Sequence, residues 1–171
     1  MTDLSAKLWN EAVRPRDYAP EGEKYQNAVL EQYKICVEMA DRVSARRNLT
    51  NTFFLTVNTA VGAAFVGLAG GAKLTDVSVW VLLVGLVILL GECAAWLLIV
   101  RSYRQLNSAK YAVIGAMEER LPAYAYSRAE WTALGEGRDW RRYVPLSHVE
   151  QWIPVIFALT YVLVVIALAV S

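Results

Sequence analysis

Three stretches of the chain are nearly unbroken apolar runs, and the segments between them are polar or amphipathic. The first run covers residues 52–71 and the second 77–100. The third lies within 148–171 and is apolar from Trp152 to Val170. Crossing a hydrocarbon core takes roughly 20 apolar residues of helix. Each run has that length, and Val79–Leu90 and Val155–Val170 show no polar face of the kind a soluble helix presents. The pattern predicts an all-α membrane protein with three transmembrane helices. Only a few residues around Lys73 separate the first two runs, so these form an antiparallel hairpin.

The remaining polar half is patterned as well. From 21 to 51, apolar residues fall at Val29, Tyr33, Cys36, Ala40 and Val43, in alternating steps of four and three. Leu30, Val37 and Met39 widen the stripe. This is an amphipathic helix with coiled-coil spacing. Nothing breaks it before the first span, which predicts one helix of roughly 75 Å at 1.5 Å per residue. Residues 101–121 continue the second span, with Tyr103, Leu106, Val113, Ile114, Met117 and Leu121 along one side and Pro122 as a stop. The two extensions should pair as a cytoplasmic antiparallel coiled-coil stalk.

The connector 122–147 is irregular and rich in aromatics: Tyr124, Tyr126, Trp131, Trp140 and Tyr143. They are expected to cover the stalk or the inner membrane face. Ser127 is a candidate N-cap for a short helix reaching Leu134, with Gly135 ending it. Ser147–Glu150 is a capping-box pattern opening the third helix, and Pro154 should kink that helix beyond its first turn. Residues 1–20 carry Asp3, Glu11, Arg14, Arg16 and Asp17 and no apolar core, so they form a tail and not a cleavable signal peptide.

Charge sets the orientation. Of the 17 Lys and Arg residues, all but Lys73 lie on one side of the three runs. Membrane insertion retains such residues in the cytoplasm, which puts the N-terminus inside and the C-terminus outside. Arg42, Arg46, Arg47, Arg101 and Arg104 flank the first hairpin, and Arg141 and Arg142 precede the third span. The plain reading is topological anchoring, with contact to anionic headgroups as the functional alternative. Acidic residues are interleaved with the basic ones and the net charge is +1, which argues against a nucleic-acid partner. Cys36 and Cys93 are too few for a metal set or a disulfide framework and read as small apolar fillers.

Candidate chemistry centres on Glu92, the one charge inside a span, nine residues before Arg101 and so roughly 13 Å from the inner boundary. Folding the hairpin about its turn brings Thr56, Asn58 and Thr59 to its depth, and Thr160 with Tyr161 reach the same level from the third span. An ionisable residue in a span points to function by default. The bland alternative is a hydrogen-bonding glue between helices. Ala63, Gly67 and Gly71, and Gly91 with Ala95, recur every four residues as candidate packing faces. A three-span bundle with one polar layer is thin, which makes a homo-oligomer reasonable. Gly-rich phosphate loops, metal-ligand spacings and nucleophile elbows are missing, and the lone His148 starts a helix. No catalytic residue, metal or cofactor is expected, and the chain does not read as an enzyme.

Residues 38–59 (EMADRVSARRNLTNTFFLTVNT), 101–114, 130–137 and 143–157 carry a resemblance to small bacterial integral membrane proteins found among anti-phage genes. In architecture the chain is also similar to SLATT-type effectors, whose membrane helices extend into a long cytoplasmic helix, although these have two spans and not three. The resemblance implies an inner-membrane, pore-forming or membrane-disrupting effector, held inactive until a cytoplasmic sensor or signalling partner triggers it. Two other readings stand beside it: a small ion or proton channel or transporter subunit with Glu92 in the pathway, and a scaffold that recruits a cytoplasmic partner.

Overall fold

A computed structural model describes residues 12, 22–70, 78–137, 141–144 and 149–170. The described residues are helical and form no strand. Helix α1 spans Glu23–Gly70, α2 spans Val79–Glu118 and α3 spans Trp152–Val170. Between α2 and α3 lie a π-helical turn, Ala125–Glu130, a single α-turn, Trp131–Ala133, and a 3₁₀ turn, Gly135–Gly137. The outer turn with Lys73 and Gly71, together with Trp140, Ser147 and His148, falls outside the described residues. Among the described residues, Val79–Glu118 is the one helix long and apolar enough to cross a membrane, and Trp152–Leu168 is apolar but shorter.

The chain divides into two compact units, one formed by Met1–Ala45 with Arg104–Pro145 and the other by Arg46–Tyr103 with Leu146–Ser171. In the first unit, the apolar stripe of α1 is its least exposed face. Ala40 and Val43 are buried and Val29, Tyr33 and Cys36 half-buried, whereas Leu30 and Met39 are exposed. The solvated face carries the pairs Glu31–Lys34 at 2.8 Å and Glu38–Arg42 at 2.6 Å. At this exposure each is worth only a few tenths of a kcal/mol, about 0.2–0.5.

On α2 the inward face differs from the apolar pattern. Ile114 and Glu118 are buried and Met117 half-buried, but Leu106 and Val113 are exposed. The helix ends at Glu118, three residues before the expected stop at Leu121. Its last turn tightens into bonds from Arg120 N to Met117 O and from Leu121 N to Glu118 O, each 3.0 Å. Pro122 disfavours the α conformation at Leu121, which accounts for the early end.

Glu118 organises this unit. Its side chain is 0% exposed. One carboxylate oxygen accepts from Tyr33 OH at 3.0 Å and from Tyr126 N at 2.9 Å. The other accepts from Ser127 N at 2.9 Å and Ser127 Oγ at 2.5 Å. The carboxylate therefore satisfies backbone donors of the first π turn, the task of an N-terminal cap. Ser127, expected to cap a helix reaching Leu134, lies inside the turn as a donor to Glu118. Gly115 permits the approach, since a Cβ there would lie 3.1 Å from Ser127 Cβ. Of the connector aromatics, Tyr126 meets Tyr111 of α2 edge-on at 6.2 Å and the buried Tyr124 carries Arg128 over its ring at 3.8 Å, whereas Trp131 and Tyr143 are exposed.

Two outcomes test this anchor. Glu118→Ala strands two backbone N–H groups and two hydroxyls. At about 1–3 kcal/mol for an unsatisfied buried group, the connector should detach and its cleavage by protease around residues 122–137 should accelerate. Burial and the Glu118 carboxylate also push the Tyr33 phenol above its ordinary value of 10.0. Its stabilising share is thus complete below about pH 10 and is lost as pH rises further, because the unfolded phenol ionises first. An alkaline melt of the wild type should show that loss, and Tyr33→Phe should flatten it.

Candidate functional site

The second unit is built around an amide. Asn58 of α1 is 0% exposed. Its Nδ2 donates to the Phe54 carbonyl one turn back at 2.8 Å and to Glu92 Oε1 of α2 at 3.4 Å. Its Oδ1 accepts from Tyr161 OH of α3 at 2.7 Å and from Cys93 Sγ at 3.8 Å. The Tyr161 hydroxyl also lies 3.4 Å from the Asn58 carbonyl. Both amide hydrogens and the side-chain oxygen are engaged, so a single residue links all three helices. Glu92 is half-buried and has the long bond from Asn58 as its contact.

Aromatic rings continue the link. Phe54 stacks on Trp96 with centroids 5.5 Å apart and planes 9° apart, Trp96 meets Phe157 at 6.1 Å, and Phe157 meets Tyr161 at 6.2 Å. Trp96 is 1% exposed and its Nε1 donates to Asn51 Oδ1 at 3.0 Å. Such ring pairs contribute about 0.5–1.5 kcal/mol beyond the area they bury. Arg47 and Glu150 approach to 3.5 Å with only 16% of each side chain exposed, joining α1 to the residues leading into α3.

Of the six residues expected in one polar layer, Asn58, Glu92 and Tyr161 come together. Thr56, Thr59 and Thr160 do not; all three are exposed. Helical geometry explains this, because positions 56 and 59 are rotated by roughly 160° and 100° from 58 at 3.6 residues per turn. The outward hydroxyls turn back on their own helices, Thr56 to Thr52 O at 2.8 Å and Thr160 to Ile156 O at 2.9 Å. Thr50 and Thr52 do the same to Arg46 O and Asn48 O, each at 2.9 Å. Cys93, Asn51 and Trp96 were absent from the expected layer. The signal for Asn51 was present, since it precedes Asn58 by seven residues and shares its face.

The small residues do not pack helices within the subunit. Ala63, Gly67, Gly91 and Ala95 are exposed, and a Cβ at Gly67 or Gly91 would meet nothing within 4 Å. Gly71 lies outside the described residues. Among the flanking cations, Arg42 pairs with Glu38, Arg47 with Glu150, and Arg46, Arg101, Arg141 and Arg142 are exposed, while Arg104 is half-buried. Among the described residues no cluster of His, Cys, Asp and Glu could hold a metal ion. The site can therefore bind helices together, and through Glu92 it can present a carboxylate at the subunit surface.

A sequence model described as the octameric membrane protein family (8xMP) matches residues 30–170. No curated protein and no solved structure matches the chain.

Removing the amide should loosen all three helices together. Asn58→Leu keeps the branching and heavy-atom number but strands the Tyr161 hydroxyl, and a loss of about 1–3 kcal/mol is expected in detergent unfolding. Tyr161→Phe on that background should restore most of it, because the stranded donor is then gone.

Proposed function

Since the chain belongs to the octameric membrane protein family, we propose that eight copies assemble in the inner membrane and open a permeation path when a cytoplasmic signal reaches them. Three spans, 52–71, 77–100 and the apolar part of 148–171, cross the bilayer in this reading. The N-terminus is inside and the C-terminus outside. The carrying observation is the hydrogen-bonded Asn58, Glu92 and Tyr161 set, a polar contact in which each of the three helices takes part. Polar side chains in a hydrocarbon layer are costly, and they persist where they bind helices or serve a pathway.

The cytoplasmic halves act as the receiving end. Residues 23–45 and 104–121 form an antiparallel coiled-coil stalk, supported by the half-buried stripe of α1 and by the bond from Tyr33 to Glu118 of α2. The connector anchored on Glu118 offers a surface for a sensor or signalling partner. In this reading the trigger is infection and the outcome is loss of membrane potential, a choice supported by the resemblance to proteins found among anti-phage genes. No catalytic step is involved.

A narrower reading, an ion or proton channel with Glu92 in its path, is favoured by a carboxylate that is only half-buried and has one long hydrogen bond. A lipid-facing carboxylate is unfavourable, so in the assembly Glu92 would face a neighbouring subunit or water.

Induced expression should depolarise cells carrying the wild-type protein, read with a potential-sensitive dye. Unchanged potential and growth, with or without infection, would sink the permeation reading while leaving assembly intact. In reconstituted protein Glu92→Gln should alter conductance and its pH response if the carboxylate serves the path. Wild-type behaviour in that variant assigns Glu92 to joining helices. Protease added outside intact cells should leave the segment 103–150 whole, and digestion there reverses the orientation.

A further inference from the structure

The two helices of the first unit carry a second pair of stripes besides the one that joins them. On α1, Tyr25, Ala28, Gln32, Ile35 and Met39 recur in steps of three and four, and all are exposed. On α2, Leu106, Ala109, Val113 and Ala116 recur in the same steps and are exposed as well. Such spacing keeps each set on one flank of its helix. The two flanks lie side by side. Ile35, Met39, Ala109 and Val113 line a cavity of about 260 Å³, and Tyr25, Gln32, Val113 and Ala116 line a second of about 550 Å³. Val113 belongs to both, so the cavities form one largely apolar groove. From Tyr25 to Met39 it runs roughly 21 Å at 1.5 Å per residue. Its charged residues are Lys110 and Arg120, the latter donating to the Tyr25 hydroxyl, and among the described residues no carboxylate lines it. Bulky apolar side chains exposed together in this way mark an interaction surface.

The other side of the same helix pair carries the connector. Tyr126 meets Tyr111, and Ser127 lies against Gly115. At 3.6 residues per turn, both positions are rotated by roughly 160° from Val113. This side presents rings: Tyr111 is 41% exposed and Trp131 48%. Carboxylates stand beside them. The Tyr111 phenol is raised above its ordinary value, first by burial and then by Glu130 and Asp41. Asp41 and Glu130 are exposed, and neither they nor Lys110 form an ion pair among the described residues. The nearby guanidinium of Arg128 is turned back over the Tyr124 ring.

We propose that the groove of one copy receives the connector side of the next copy, with Trp131 and Tyr111 against its apolar floor and Asp41 and Glu130 facing Lys110 and Arg120. The inference rests on the octameric reading and names the surfaces through which the copies meet. A ring closes through head-to-tail contacts, in which each copy offers two different surfaces, one to either neighbour. The groove and the connector side meet that requirement. They occupy nearly opposite sides of one helix pair, the first hollow and cationic, the second aromatic and acidic. Aromatic side chains seated in a groove are the usual anchors of an interface, and opposite charges across it select which surfaces meet.

Crosslinking of the full-length protein in lipid nanodiscs tests the contact. Val113→Cys in the groove and Trp131→Cys on the connector are introduced together and singly on a Cys36→Ser background, and the Cys36→Ser protein alone supplies the blank. Native mass spectrometry gives the subunit number, and a short flexible bismaleimide is then added. Octamers of the double variant should give a ladder on a denaturing gel that extends past dimers toward eight chains. Each single variant should crosslink at least about tenfold less, because only unlike surfaces meet in a head-to-tail ring. Adding Lys110→Glu should weaken the ladder at least about fivefold, and adding Glu130→Lys to that variant should restore it. Octamers whose double variant gives no ladder overturn the contact and leave the assembly reading standing. Octamers in which either single variant forms dimers as readily overturn it too, since like surfaces then meet. Wild-type protein that forms no octamer overturns both readings.

Discussion

An amide buried among apolar helices is stable only while each of its hydrogen-bonding groups is met, and Asn58 meets that condition by drawing on all three long helices. Its carboxamide has no solvent partner to fall back on. The Phe54 carbonyl, Glu92, Cys93 and Tyr161 must therefore arrive together. The same groups that secure the amide fix the relative rotation of the helices, because turning any of them by one residue would strand a donor or acceptor. Packing of Phe54, Trp96 and Phe157 adds area, but the amide selects the register.

The first unit applies the same logic with a carboxylate. Glu118 lies where a leucine would extend the apolar stripe, and a hydrophobic residue there would bury comparable area. It would leave the π turn of the connector with uncapped donors. The choice of glutamate binds a segment of irregular backbone to a regular helix, and the neighbouring Gly115 gives that segment room. Both units thus owe their specificity to one buried polar side chain among apolar neighbours.

Much of this could be read from residue order alone, and the gaps have physical causes. The apolar runs and the four-three stripe of α1 are period effects, and the positions Ala40 and Val43 are buried as that period requires. Depth along an axis was also legible, so Asn58, Glu92 and Tyr161 were assigned to one level. Rotation about the axis decides the rest, and Thr56, Thr59 and Thr160 share the level but face away. The role of Glu118 was hidden for a different reason. Its partners are backbone groups of a turn whose π form no side-chain pattern announces. Small residues at four-residue intervals mark candidate packing faces, and Ala63, Gly67, Gly91 and Ala95 are exposed in the subunit, since a spacing motif names a close approach without naming the partner.

The successive threonines of α1 have a mechanical consequence. Between residues 46 and 54, the carbonyls of Arg46, Asn48, Thr52 and Phe54 each accept a side-chain hydrogen in addition to their place in the helical ladder. A carbonyl with two donors holds each less tightly, and helices with such back-bonded side chains bend more readily. Four carbonyls of this stretch of α1 thus serve two donors each, in a segment without glycine or proline. A helix can flex there while every backbone group stays paired.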